Sequence, residues 1–279
     1  MAILSIQSHV AYGYVGNKAA VYPLQSMGYD VWPVNTVQFS NHTGYGHWQG
    51  EIFSKEHIHQ VILGLEALNL IPSCQAILSG YMGSEEICLE VAATVKRFKA
   101  QNPALLYLCD PVIGNQHCFV KPEVLEFFKY HLVADIITPN QYEAETLSGR
   151  QIKTTADLKA VAQFFQDKGS QIVIITGVKL DDVAPDTLHI YGGQGSQHYL
   201  LAAREYTFPV PPSGTGDLFS AVFLGSYLSC KNLEHALRRS VDLMNRVLAK
   251  TAASGGRELR VLDVDYKQDN TVAVNSMVI

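Results

Sequence analysis

The sequence has no C-x-x-C pair, and its five cysteines, Cys74, Cys88, Cys109, Cys118 and Cys230, are scattered and odd in number. Neither a disulfide framework nor a zinc knuckle is suggested, and reduced thiols in the cytosol are the simpler reading. Positive charge is not in excess: 21 Lys and Arg stand against 26 Asp and Glu, a formal net charge of −5. With no basic run to track a phosphate backbone, nucleic acid is not an expected partner. No stretch reaches the roughly 20 apolar residues that span a bilayer. Residues Met1 to His9 lack the basic start and long apolar run of a signal peptide. The expectation is a soluble cytoplasmic protein without a membrane partner. Three motifs are missing as well. There is no G-x-x-x-x-G-K-[ST] loop, Gly13-Tyr14-Val15-Gly16 lacks the first G-x-G of a dinucleotide fingerprint, and the ten histidines include no H-E-x-x-H. The P-loop reading and a metal site built on the histidines lose their support, and a dehydrogenase reading loses most of its own.

What is present fits a compact fold. A chain of 279 residues, 47% hydrophobic and 17% charged, argues against long disorder. At this length about 75% of the unfolded surface can be buried. Short apolar runs predict strands over Ile3–Ile6, Asp30–Val37, Ala76–Gly80, Leu105–Asp110, Ile136–Pro139 and Ile172–Thr176. Helical spacing alternates with them over His57–Leu68, Glu85–Ala100 and Thr155–Lys168, the last with Leu158, Val161, Ala162 and Phe165 on one face. That alternation predicts an α/β fold around a buried, mostly parallel sheet. Leu188–Tyr191, Gln197–Leu201 and Arg204–Val210 then read as successive antiparallel strands before helices over Leu218–Leu228 and Leu233–Thr251. Thr271–Ile279 reads equally as a last strand or a frayed end. No linker or repeat divides the chain, so residues 1–279 are expected to form a single domain.

Ligands of open parallel sheets bind beyond the carboxyl ends of the strands. Ser8, Asp110, Thr138, Asn140 and Thr176 fall at such ends. The sharpest local signal is Pro212-Ser213-Gly214-Thr215-Gly216-Asp217, followed at once by an apolar helical segment. Glycines let backbone amides approach a ligand, and free amides at a helix start attract anions, as phosphoryl transfer requires. The same residues also read as a turn with Asp217 as a helix-start acid favoured by the dipole. Around Asp135–Glu145, Pro139 breaks a strand and a helix starts near Asn140. Asn140 and Glu143 are there either cap and dipole partner, or a cleft pair in which Glu143 serves Mg²⁺. Asp110 offers a second carboxylate at a neighbouring strand end.

Assembled, these residues closely resemble the pyridoxal kinases of the ribokinase-like superfamily. The resemblance covers nearly the whole chain. It is carried by Leu4-Ser5-Ile6-Gln7-Ser8-His9-Val10, Gly13-Tyr14-Val15-Gly16-Asn17, Val37 to Tyr45 with Asn41-His42-Thr43-Gly44-Tyr45, Ser79-Gly80-Tyr81, Cys109-Asp110-Pro111-Val112, Ala134 to Arg150, and Ser213 to Phe219. It implies a three-layer ribokinase-like fold and ATP-dependent phosphorylation of the hydroxymethyl group of pyridoxal, pyridoxine or pyridoxamine in vitamin B6 salvage. It further implies that Ser8 bonds the pyridine ring, Thr43 contacts the vitamer and Tyr81 covers it. Asp217 would orient and deprotonate the hydroxyl, with Gly214, Thr215 and Gly216 as the anion hole. Asn140, Glu143, Thr176 and Thr215 would serve ATP and Mg²⁺ or another divalent ion. Asp110 and Thr138 would lie near K⁺ or Na⁺ and the phosphates, Phe208 and Val210 would flank the adenine, and the protein would be a homodimer.

The chain departs from the family in one segment. Where many relatives carry an acid after D-P-V-x-G, this chain has Asn115. The segment Asn115–Val120, which the resemblance implies is part of a flap over the active site, is shorter than in the longer members and contains Cys118. A thiol held over an aldehyde can add to pyridoxal, or Cys118 is an inert loop residue. The competing functions are a hydroxymethylpyrimidine kinase of the same fold and a non-catalytic carrier of B6 phosphate. The first typically has a cysteine in the anion-hole motif, which Ser213–Asp217 lacks; the second has no need of Asp217 with its glycines.

Overall fold

The computed structural model describes residues 1–183, 187–271 and 274–279. The chain runs β1 (Ala2–Val10), α1 (Asn17–Ser26), β2 (Asp30–Phe39), β3 (Gly50–Ile52), α2 (Lys55–Ala67), β4 (Cys74–Ser79), α3 (Glu85–Gln101), β5 (Leu106–Cys109), α4 (Pro122–Tyr130) and β6 (Ile136–Ile137). It continues with α5 (Gln141–Ser148), α6 (Thr155–Asp167), β7 (Ile172–Val178), β8 (Leu188–Gln194), β9 (Gln197–Ala203), α7 (Thr215–Cys230), α8 (Leu233–Ser254) and β10 (Ser276–Val278). All strands join one sheet in the order β10-β9-β8-β7-β6-β5-β4-β1-β2-β3. The six strands from β7 to β2 run parallel, while β3 and the trio β8, β9 and β10 pair antiparallel at the two sides.

The pleat explains the layering. Alternate residues of a strand face opposite sides. Leu4 and Ile6 of β1 pack with Ile58, Val91, Phe127 and Val161 on one face, under α2, α3, α4 and α6. Ile3 of β1 packs with Leu24, Phe223 and Leu237 on the other, under α1, α7 and α8. Parallel strands covered on both faces need apolar residues at nearly every position, and burial along β4 and β7 follows that rule.

The expected strands and helices correspond to these elements, with one correction. Arg204–Val210 forms no strand. The free edge of β9 is taken instead by β10, Ser276 facing Leu201. Arg204–Val210 is largely exposed and runs into Pro209, Pro211 and Pro212, which lack the N–H a ladder needs. The terminal segment therefore ends as a strand, although its residues 272–273 lie outside those described. Ser8 and Thr176 also lie inside β1 and β7 rather than just after them.

The chain leaves β1 for β2 on one side and later returns to β4 on the other. The carboxyl ends of β1 and β4 therefore flank the topological switch point, where a crevice forms.

Candidate active site

The start of α7 is set by backbone sign and space. Gly214, its N-cap, has φ 86°, and no side chain caps the helix. A Cβ on Gly214 would lie 1.9 Å from the Tyr14 carbonyl oxygen. Only glycine therefore brings this turn against the loop after β1. Among the described residues the first-turn N–H groups of Thr215, Gly216 and Asp217 have no side-chain acceptor, the condition under which a helix start takes up an anion.

Three carboxyl groups meet beside this helix start. Asp110 follows β5, its backbone N–H donating to the Ser79 carbonyl at 2.9 Å. Its Oδ2 accepts from Ser220 Oγ at 3.2 Å and lies 3.4 Å from where a Gly216 Cβ would be. Ser220 Oγ is also 2.8 Å from Thr138 Oγ1, so one helix turn beyond Asp217 a hydroxyl pair links α7 to the ends of β5 and β6. Burial first, then the charges of Glu143 and Asp217, push Asp110 well above the usual carboxylate range. Glu143 is buried in the first turn of α5. Its Oε1 accepts from the N–H groups of Ile113 and Gly114 at 3.0 and 3.4 Å, and its Oε2 from that of Asn140 at 2.9 Å. Asn140 completes the capping box by accepting from Glu143 N. Burial nevertheless lifts Glu143 to about 7, against those three backbone hydrogen bonds. Burial also raises half-buried Asp217, and the Gly16 N–H opposes the shift.

Such crowding of buried acids is costly without a cation nearby. Among the described residues no three His, Cys, Asp or Glu side chains form a metal cage on their own. The donor set is all oxygen and offers one or two carboxylates, which fits Mg²⁺ completed by phosphate oxygens and water. The shift also fixes a sign. Between pH 4.5 and about 7 the folded protein keeps a proton on Glu143 that the unfolded chain has lost. That contribution to stability is present below 4.5 and is lost as pH rises to about 7. Glu143→Gln is expected to flatten the decline in melting temperature across this range. A decline equal to that of the wild type would contradict the assignment of the proton to Glu143.

On the β1 side, Gly16 has φ 54° and sits so close to Ser8 that a Cβ would lie 2.1 Å from the Ser8 carbonyl and 2.4 Å from its hydroxyl. Gly16 thus joins Ser8 to Asp217. Tyr81, after β4, is half-buried against Val10, Val15, Val37 and Phe39 and accepts a hydrogen bond on its carbonyl from Thr36 Oγ1 at 2.7 Å. Thr43 opens an exposed helical turn, Thr43–Tyr45, and its neighbour His42 has Nδ1 3.2 Å from Ser213 Oγ. Asn140 bridges to Thr176, and its side-chain amide donates to the Gly114 carbonyl at 2.8 Å.

Two expected groups are not tied to this centre. Phe208 leans on Tyr206, ring centroids 6.5 Å apart, and Val210 is exposed. Cys118 is exposed in a small turn closed by the Gly114–Cys118 bridge, with Sγ 3.7 Å from the Val120 carbonyl. Ser220 was missed by sequence reasoning, although its spacing of three from Asp217 puts it on the same helix face. The contact of Gly16 with Ser8 and Asp217 was also missed, because its motif was weighed as a dinucleotide fingerprint and as part of the family resemblance, neither of which gives Gly16 a role.

The fold is that of the ribokinase-like class, a mostly parallel sheet with flanking helices and antiparallel strands near the C-terminus. A sequence model of the phosphomethylpyrimidine kinase family matches residues 59–261. The chain is 40% identical over 277 residues to pyridoxal kinase PdxY of Granulibacter bethesdensis, covering 96% of each. It is likewise 40% identical over 267 residues to that of Leifsonia xyli, covering 94% of each. Pyridoxal kinase from Leishmania donovani in complex with ADP and pyridoxamine superposes with a TM-score of 0.89 at 29% identity, over 100% of this chain and 99% of that one. The chain belongs to the pyridoxal kinase family, within the wider group of phosphomethylpyrimidine kinases.

Proposed function

We propose that this chain transfers the γ-phosphoryl group of ATP to the 5′-hydroxymethyl group of pyridoxal, and of pyridoxine or pyridoxamine, acting as one kinase domain over residues 1–279. The observation that carries this reading is the uncapped start of α7. It places Asp217 beside free backbone amides and within electrostatic reach of Asp110 and Glu143.

In this reading Ser8, Thr43 and Tyr81 hold the vitamer at the mouth of β1 and β4, with its hydroxyl at Asp217. An alcohol is too weak an acid to be deprotonated beforehand by a carboxylate. In a loose transition state the proton leaves late, so Asp217 aligns the nucleophile and accepts the proton as the bond to phosphorus forms. The amides of Gly214, Thr215 and Gly216 take the charge that develops on the transferred group. Asn140, Glu143, Thr176 and Thr215 serve the ATP phosphates, and Phe208 and Val210 border the adenine. Mg²⁺, near Glu143 and Asp110, would supply charge neutralisation across the phosphates. Thr138 with Asp110 is the place for K⁺ or Na⁺. We further propose a cytoplasmic homodimer; among the described residues no helix is long and apolar enough to cross a membrane.

The test is ADP production with Mg²⁺ and K⁺ and, separately, each B6 vitamer and hydroxymethylpyrimidine. Turnover with the pyrimidine alone would keep the mechanism and overturn the substrate. No turnover by folded, ATP-binding protein would favour a carrier. The exposed Cys118 thiol carries a further expectation: Cys118→Ala changes KM and turnover for pyridoxal more than for pyridoxine, which has no aldehyde to trap. Equal effects on both vitamers would make Cys118 an inert flap residue.

A further inference from the structure

Beyond the residues assigned above, one carboxylate reaches into the substrate side of the cleft from an unexpected place. Glu258 lies after α8, in Arg257-Glu258-Leu259, a segment held by Leu259 and Val261 in the core and by Arg260 N donating to Thr251 Oγ1 at 3.0 Å. Its Oε2 accepts the Tyr14 N–H at 3.0 Å, and its Oε1 accepts the Tyr45 hydroxyl at 2.5 Å. Gly13, with φ 92°, makes the room, since a Cβ there would lie 2.5 Å from Glu258 Oε2. The adjacent Arg257 donates from Nη2 to the Gly44 carbonyl at 2.9 Å and lays its guanidinium 3.9 Å from the centroid of the Tyr45 ring.

The two loops caught by this pair are the ones that shape the site. Tyr14 also carries the carbonyl against which Gly214 is packed, so Glu258 holds the N–H of a residue whose C=O borders the anion hole. Thr43–Tyr45 is an exposed single turn that no strand or helix buries, and at its other end His42 meets Ser213. An exposed turn of three residues has little packing of its own to fix it. Its position follows from these few polar contacts.

We infer that Glu258, assisted by Arg257, is a positioning residue that latches the Thr43–Tyr45 turn to the anion-hole side of the cleft and so sets affinity for the vitamer. It touches neither reacting atom. The inference rests on the kinase reading for its kinetic part only, because the latch itself is a contact within the free protein.

The experiment compares Tyr45→Phe, Glu258→Ala, Glu258→Gln and the double variant Tyr45→Phe/Glu258→Ala with the wild type. Tyr45→Phe keeps the ring under Arg257 and removes only the hydroxyl. Glutamine can still accept from Tyr14 and donate to the Tyr45 oxygen. Loss of a charge-assisted bond predicts KM for pyridoxal raised about tenfold in Tyr45→Phe and Glu258→Ala, with KM for ATP and kcat within about twofold. Glu258→Gln should recover most of the loss, and the double variant should be no worse than Glu258→Ala alone. Amide hydrogen exchange over residues 42–46 should be faster in Glu258→Ala and Tyr45→Phe than in wild type. Unchanged KM with unchanged exchange would overturn the latch. So would equal damage to KM for both substrates without rescue by glutamine, the mark of a merely structural role. If wild-type protein turns over no vitamer, the kinase reading fails, and the exchange measurement decides the latch by itself.

Discussion

Asp217→Asn is expected to lower turnover by roughly 10²–10⁴-fold, the range for loss of a positioned acid–base group. ATP binding should be retained. Asparagine keeps the size of the side chain and its place in the first turn of α7, but it neither accepts the proton nor orients the hydroxyl through a charged acceptor. Removing this charge also relieves a repulsion, since Asp217 raises both Asp110 and Glu143. The variant should therefore be at least as stable as the wild type at neutral pH, which separates lost chemistry from lost folding. Steady-state turnover, nucleotide titration and a melting curve on the same preparation check all three statements. Turnover within a fewfold of wild type would remove Asp217 from the catalytic role.

Gly214→Ala is expected to be nearly as damaging through a different cause. The residue sits at φ 86°, where an L side chain costs about 1–2 kcal/mol. The added methyl would also stand 1.9 Å from the Tyr14 carbonyl oxygen, so the backbone must move. The part that moves carries the amides to which the proposed mechanism assigns the transferred phosphoryl group. Loss of one such donor costs about 10²–10³-fold in kcat. The expected pattern is a folded protein with lower kcat and a melting temperature reduced by a few degrees. A folded variant with wild-type kcat would place the anion hole elsewhere.

How much of this was legible depended on range. The strands at the centre of the sheet show as apolar runs because both faces are covered, as in Ile172-Val173-Ile174-Ile175 of β7. The glycine-flanked aspartate was legible because a helix start is written in consecutive residues. Helix α1 was not, since Pro23 inside it breaks the usual pattern. Strand β3 was not either, being three exposed residues with no alternation to see. Arg204–Val210 looked like a strand from its own residues, and only the arrival of β10 on β9 shows why it is not. The polar links of the site were the least legible. Ser220 lies 82 residues from Thr138 and 110 from Asp110, and Glu258 lies 244 from Tyr14. Such pairs are set by the order of strands, which no local pattern encodes.

The sheet ends on both sides in strands of only three residues, β3 and β10. An open sheet edge is a template on which another chain can add a strand. At one side β3 covers Val37 to Phe39 of β2, and the length left bare contains Pro33, which has no N–H to offer a newcomer. At the other side the last residues of the chain occupy the edge themselves, with Ile279 donating its N–H to the His198 carbonyl at 3.1 Å. Strand β10 thus covers an edge of β9 that would otherwise be open to pairing with another chain. Removing it would uncover the row of β9 backbone groups from Tyr199 to Leu201, and would do so without touching any residue placed above at the candidate active site.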